Sequence, residues 1–238
     1  MRSNILNKEE SKKINVNWHI KKIAITSIFL ALAILTSLGT NFVKIGFLAD
    51  FLSLDISLIF IIPLIFICSY YWAAFGAIVL SLFTFLWPGN IWIGVVFNLI
   101  VNITFVTLVW LFHKFINIKL ISNKSLSLTI NLVLSTLISS LFFTWLNGML
   151  FQPLWWWFYG LSNNSVSFIE VAKLYNLGII SNSLLLWIPN YWGGIFALYI
   201  SFNLLKFTII SIITFSLVMI LFKSNIIERF NNIKKITY

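Results

Sequence analysis

Six apolar runs, none containing an acidic residue, account for most of this chain: Ile23 to Leu38, Ile56 to Cys68, Tyr70 to Trp87, Ile91 to Phe115, Leu126 to Met149 and Ala197 to Phe222. A membrane-spanning helix needs about 20 predominantly apolar residues, because its 1.5 Å rise must cover a hydrocarbon core of about 30 Å. The second and third runs meet at Ser69 and Tyr70 and together cover 32 residues. That is too many for one helix and slightly few for two straight ones, so a short or partly re-entrant second helix is expected. Only 9% of the 238 residues are charged against 60% hydrophobic, whereas a soluble domain carries about 25% charged residues. The expectation is an all-α membrane protein: a single domain over residues 23–222 with polar tails at 1–22 and 223–238.

The charges set an orientation. Arg2, Lys8, Lys12, Lys13, Lys21 and Lys22 precede the first run, Lys114, Lys119 and Lys124 lie between the fourth and fifth, and Lys223, Arg229, Lys234 and Lys235 follow the last. Thirteen of the 16 basic residues therefore share one side when six helices are counted. Cationic flanks stay cytoplasmic, so six transmembrane helices with both termini in the cytoplasm are expected. Five would leave one terminal cluster outside. The net charge of +10 belongs to these flanks and not to a phosphate-tracking face, and no nucleic-acid partner is expected. No small-residue cleavage site follows the polar N-terminal 20 residues, so no cleaved signal peptide is read.

The opposite side is aromatic. Trp87, Trp92, Trp145, Trp155, Trp156, Trp157, Trp187 and Trp192 fall there, eight of 11 tryptophans. An interfacial belt explains such residues, and so does an outer cavity that stacks a flat ligand. Residues 151–190, with Pro153 and Pro189, are longer than a turn requires and are expected to fold over this side. No internal repeat of 20–50 residues and no inverted duplication appears, unlike common secondary carriers.

Polar residues inside the apolar runs need a reason, since a central Lys costs about 2.5–3.5 kcal/mol on insertion. Lys206 lies 17 residues from Lys223, about 25 Å along a helix, and Asn203 shares its face. Asn147 is about 34 Å from Lys124, and Asn98 about 9 Å inside Trp92. Asn98, Asn147, Asn203 and Lys206 thus reach comparable depth on three helices. Amides and an ammonium suit the edge of a heteroaromatic ring. The competing readings are snorkelling of Lys206 to the headgroups and interhelical hydrogen bonding of the asparagines, plausible for Asn102. Asp55 stands where it either caps a helix or serves the site. Ala24, Ser27 and Ala31 recur on the first helix, and the Ser27–Ala31 spacing lets another helix approach closely.

Other chemistries lack their residues. No G-x-x-x-x-G-K-[ST] stretch is present to cradle ATP. His19 and His113 are the only histidines, and no G-x-S-x-G or H-E-x-x-H occurs. Asp50, Asp55, Glu170 and Glu228 are scattered, which offers no acid–base pair and no metal site. Cys68 is the only cysteine, which excludes disulfides within the chain. Binding and transport are expected, not catalysis.

Four stretches then carry a family likeness: Phe51-Leu52-Ser53-Leu54-Asp55-Ile56-Ser57, Gly94-Val95-Val96-Phe97-Asn98, Leu146-Asn147 with Pro153-Leu154, and Phe202-Asn203-Leu204-Leu205-Lys206. In order and spacing the chain resembles the substrate-binding S component of energy-coupling factor (ECF) vitamin transporters, nearest the riboflavin-binding type. The resemblance implies a six-helix bundle in the plasma membrane of a prokaryote that captures a vitamin from outside. It implies partners as well: a transmembrane T component docked on the Ala24, Ser27, Ala31 face, and two cytoplasmic ATPase subunits that use the ATP. The chain would hold no cofactor of its own, with riboflavin as transported ligand. Asn147, Asn203 and Lys206 match positions that hydrogen-bond the flavin ring, with Asn98, Asp55 and Phe51 as further site residues and the segment from Lys44 to Leu54 as a gate. Leu58 and Phe60 replace an Asp and a Pro of the usual pattern, Phe83-Thr84 stand where Lys-Asn is usual, and the acid near Val95 is missing. A different vitamin or small solute therefore stays open, as do a self-contained secondary transporter and an assembly factor without a small ligand.

Overall fold

The computed structural model describes residues 2–40, 54–86, 92–119, 123–163, 165–224 and 226. All regular structure among them is helical. In chain order the α-helices are α1 (Arg2–Thr40), α2 (Leu58–Ile61), α3 (Pro63–Ile67), α4 (Tyr70–Phe83), α5 (Trp92–Lys119), α6 (Lys124–Leu146), α7 (Gln152–Phe158), α8 (Phe168–Asn176) and α9 (Tyr191–Lys223). A 3-10 turn, Thr84–Leu86, extends α4, a π segment, Asn147–Phe151, joins α6 to α7, and a second 3-10 turn, Asn182–Leu185, precedes α9.

Among the described residues, four stretches are long and apolar enough to cross a membrane: Trp18–Thr40, Trp92–Ile116, Lys124–Phe158 and Tyr191–Lys223. The other two apolar helices, Leu58–Ile67 and Tyr70–Leu86, are shorter. The expected short second helix is present and broken in two. Pro63 stands at the first position of α3, where it has no N–H to donate to the preceding turn and its fixed φ suits a new helix start. All ten residues from Leu58 to Ile67 are apolar, and all but Phe60 are buried. A helix that is apolar all round belongs in the middle of a bundle. Here Ala33 of α1, Ala73 and Ala77 of α4, Phe105 and Val109 of α5 and Ile210 of α9 share its core cluster.

Polar side chains inside the bundle join helices. Asn102 Nδ2 of α5 donates to Ser81 Oγ of α4 at 3.0 Å, as expected of an interhelical amide. Thr136 and Ser211 join α6 to α9 through their hydroxyls at 2.8 Å. Small hydroxyl residues permit close helix approach where hydrocarbon surrounds the bundle. Asn123 starts α6 by accepting from the Ser125 and Leu126 amides at 3.0 and 3.4 Å, and Asn190 starts α9 by accepting from the Gly193 amide at 2.9 Å; both are ordinary N-caps.

The described residues between 152 and 190 pack against the start of α9 as a cap. Trp156, Val171, Tyr175, Ile180 and Leu185 make a second apolar cluster with Tyr191, Ile195, Leu198 and Tyr199 of α9. The Tyr175 hydroxyl donates to the Ile188 carbonyl at 2.7 Å, and Asn176 Oδ1 accepts from the Tyr191 amide at 2.8 Å. Gly194 admits the cap, because a Cβ there would lie 2.6 Å from Leu185 Cβ. The capped end of α9 is where the polar residues gather.

Candidate ligand-binding site

The site begins with a local failure of the α-helix. Pro153 cannot donate a backbone hydrogen bond, and the helix ahead of it widens into the π segment, in which the Gln152 amide reaches back to the Asn147 carbonyl. The Gly148 carbonyl, whose partner at the same spacing would be the missing Pro153 N–H, accepts instead from the Tyr191 hydroxyl at 2.6 Å. Single π turns of this kind collect at functional sites. This one opens with Asn147.

Asn147 Nδ2 donates to the Phe143 carbonyl at 2.8 Å. Across the seam, Asn203 Nδ2 of α9 donates to Thr144 Oγ1 of α6 at 3.3 Å, and Thr144 donates in turn to the Ser140 carbonyl at 2.7 Å. Both amides are 4% exposed. Their oxygens accept no hydrogen bond among the described residues, so each keeps an acceptor free. Lys206, one turn beyond Asn203, is 7% exposed and makes no ion pair or hydrogen bond among the described residues. Its buried position rules out snorkelling to a headgroup in this structure. Among the described residues, Asp55 is the carboxylate that acts on it electrostatically.

Asp55 lies in the turn before α2, a helix that packs on both α1 and α9. Its Oδ2 accepts from Ser37 Oγ of α1 at 3.0 Å and its Oδ1 from the Ser57 amide at 2.9 Å. The N-cap position of α2 belongs to Ser57, which makes no side-chain cap; Asp55 instead closes an Asx turn before it and ties that turn to α1.

An aromatic cluster lies beside the seam. Phe105 and Phe207 stack with centroids 4.5 Å apart, Phe143 sits 5.8 Å from Phe207, and Phe97 contacts Phe143 and Phe151 at 6.4 and 4.5 Å. Asn98 follows Phe97 on α5, is half-buried and makes no hydrogen bond among the described residues. The structure thus brings Asn147, Asn203 and Lys206 to one α6–α9 seam, with Asn98 on the neighbouring helix and Asp55 opposite. Phe51 lies outside the described residues, as does most of the segment read as a gate. Ala24, Ser27 and Ala31 are all exposed on α1, with no helix laid over them among the described residues.

Two further residues join the seam that the sequence reading passed over. Tyr199 donates its hydroxyl to Gln152 Oε1, joining α9 to the first residue of α7. Tyr199, Asn203 and Lys206 stand at i, i+4 and i+7, one helix face, and that spacing was the available signal. An open groove of about 410 Å³ also lies on the α6–α9 pair, lined by residues such as Leu132, Val133, Leu137, Ile212 and Phe215. It is not the polar seam. Of the hydroxyl residues at its wall, Thr129 and Ser216 bond back to their own helices and Thr136 and Ser211 bond each other.

No family model matches the chain. It is 42% identical over 193 residues to a Mycoplasma pneumoniae protein described as "Uncharacterized protein MG350.1 homolog", covering 80% of this chain and 83% of the relative. The Mycoplasma genitalium protein MG350.1 is 33% identical over 190 residues, covering 79% and 82%. The chain belongs to the MG350.1 family. Both matches run over about four-fifths of each protein, so the family likeness extends across the helical body and is not confined to one motif. For this MG350.1-family member the polar seam between α6, the π segment and α9 is the candidate site.

Proposed function

We propose that this protein is the substrate-binding S component of an ECF-type vitamin transporter in the plasma membrane of a prokaryote, with riboflavin as its ligand. The observation that carries the reading is the convergence of three buried groups with unmet capacity on one seam: the Asn147 and Asn203 amide oxygens and the Lys206 ammonium. Acceptors and a cationic donor beside a phenylalanine cluster suit the edge and face of a flat heteroaromatic ring with mixed carbonyl and N–H groups. In this reading six helices cross the bilayer, both termini are cytoplasmic and the capped end faces outward. Leu58–Ile67 would cover about 15 Å as helix, and the four non-helical residues ahead of it add up to about 13 Å if extended, which together approach a core of about 30 Å. A T component docks on the Ala24, Ser27, Ala31 face, and its two ATPases supply the energy for release.

The deciding experiment is the absorbance spectrum of the full chain purified in detergent. Flavin bands in near-stoichiometric amount support the reading. A colourless preparation that also binds no added riboflavin overturns the riboflavin assignment. A second ligand class stays in view because Leu58 and Phe60 depart from the riboflavin-type pattern: another vitamin bound at the same seam. Competition by other flat vitamins against the purified protein separates the two.

A further inference from the structure

The open groove on the α6–α9 pair is not used by the polar seam. The two helices run antiparallel: Thr136 meets Ser211 at 2.8 Å, and nearer the start of α6 the Lys124 ammonium lies 5.5 Å from the centre of the Phe222 ring. Thr136 and Ser211 are short, which leaves the floor between the helices recessed. Thr136 Oγ1 also donates to the Phe207 carbonyl at 3.4 Å, so with Ser211 donating to Thr136 both hydroxyl protons are spent within the floor. The rims are rows at i, i+4 spacing, Val133 with Leu137 on α6 and Thr208 with Ile212 on α9, all exposed. Both helices belong to stretches long and apolar enough to cross a membrane. A recess there loses dispersion contacts unless something apolar fills it.

We propose that this groove seats an acyl chain of an anionic phospholipid whose phosphate is held by Lys124 and Lys223. The inference does not depend on the ligand of the seam. Length and charge select the occupant. On α9 the lining runs from Leu204 to Ser216, about 18 Å along the axis, close to one acyl layer, which is half of a hydrocarbon core of about 30 Å. Lys124 and Lys223 stand five and seven residues past the lining residues Thr129 and Ser216, about 8 and 10 Å further on, at the level of the polar headgroups. Both are exposed. Basic pockets between helices at a membrane surface attract anionic headgroups. An apolar trough one leaflet long with cations beyond one end complements a molecule with one anionic head and an apolar tail. A partner helix crossing the bilayer would need a seat of about 30 Å, which this groove does not offer.

The test titrates the full chain in detergent with two lipids that share their acyl chains, dioleoylphosphatidylglycerol and dioleoylphosphatidylcholine, and counts bound lipid by native mass spectrometry. The unaltered protein should hold one phosphatidylglycerol about tenfold more tightly than phosphatidylcholine. Lys124→Gln with Lys223→Gln should abolish that preference. Thr208→Phe, which fills the groove from its exposed rim, should weaken binding of both lipids about tenfold. Leu141→Phe, exposed on α6 outside the groove, should change neither affinity. Equal affinity for the two lipids, or a preference that survives the double charge variant, would overturn the headgroup assignment. Lipid binding indifferent to Thr208→Phe, or a dimer that Thr208→Phe dissolves in place of bound lipid, would overturn the groove as the lipid's seat.

Discussion

The Tyr191 hydroxyl, at the first residue of α9, donates to the Gly148 carbonyl at 2.6 Å and so replaces the backbone donor that Pro153 lacks. This one bond connects a rule of proline chemistry to the presentation of Asn147, which opens the same π segment. Tyr191→Phe removes the donor and leaves a buried carbonyl unsatisfied. The expected loss is about 1–3 kcal/mol of stability, read as a lower melting temperature in detergent, with weaker ligand binding because the Asn147 turn is no longer pinned.

Gly148 is also held by space. A Cβ there would lie 2.5 Å from Trp192 Cζ3 and 3.0 Å from Ile195 Cγ2. Gly148→Ala should therefore destabilise by about 1–3 kcal/mol through overpacking. Trp192→Leu in the same chain should recover much of the loss, since the indole edge is the obstacle. A melting series over the single and double variants measures the coupling.

Lys206 and Asn203 should matter for binding more than for folding. Lys206→Met keeps most of the length of the side chain and removes an unpaired buried cation, so the protein should be at least as stable and should lose ligand affinity by tenfold or more. Asn203→Ala should lower affinity and cost a modest amount of stability through its bond to Thr144. Titration of the purified variants with riboflavin, followed by flavin fluorescence, checks both.

Asn102 provides the contrast. Its amide bonds Ser81 across α4 and α5, away from the seam. Asn102→Leu should change stability by about 1 kcal/mol with ligand affinity unaltered, whereas a site residue shows the reverse pattern.

The exposed small residues of α1 test the partner reading. Ser27→Leu with Ala31→Leu adds bulk to a face that is exposed among the described residues. Binding by the purified protein should persist, while uptake by cells carrying the transporter partners should fall. Unchanged uptake would remove this face from the proposed docking surface.

Much of the architecture was legible because its signals are local. Run length and composition dictate apolar helices, and the 32-residue second and third runs already required a short member; Pro63, at the break, is a local signal too. The helix-face spacing of Asn203 and Lys206 and the depth of Asn147 put three residues of the candidate seam at one level without any tertiary information. Asp55 was half legible: its turn to Ser57 is a two-residue effect, whereas its bond to Ser37 spans 18 residues. Gln152 and Tyr199 were not singled out, because their pairing depends on how α7 leaves the π segment and on which face α9 turns towards it.

The sequence by itself determined that the chain would be helical and apolar and which polar residues would share a helix face, because periodicity and chain length act within a single element. Only the tertiary structure decided that Tyr191 completes the Gly148 turn, that Tyr199 meets Gln152 and that Lys206 is buried within electrostatic reach of Asp55. Those relations join residues 43, 47 and 151 positions apart, and contacts of that kind are set by how helices pack, not by what any one of them contains.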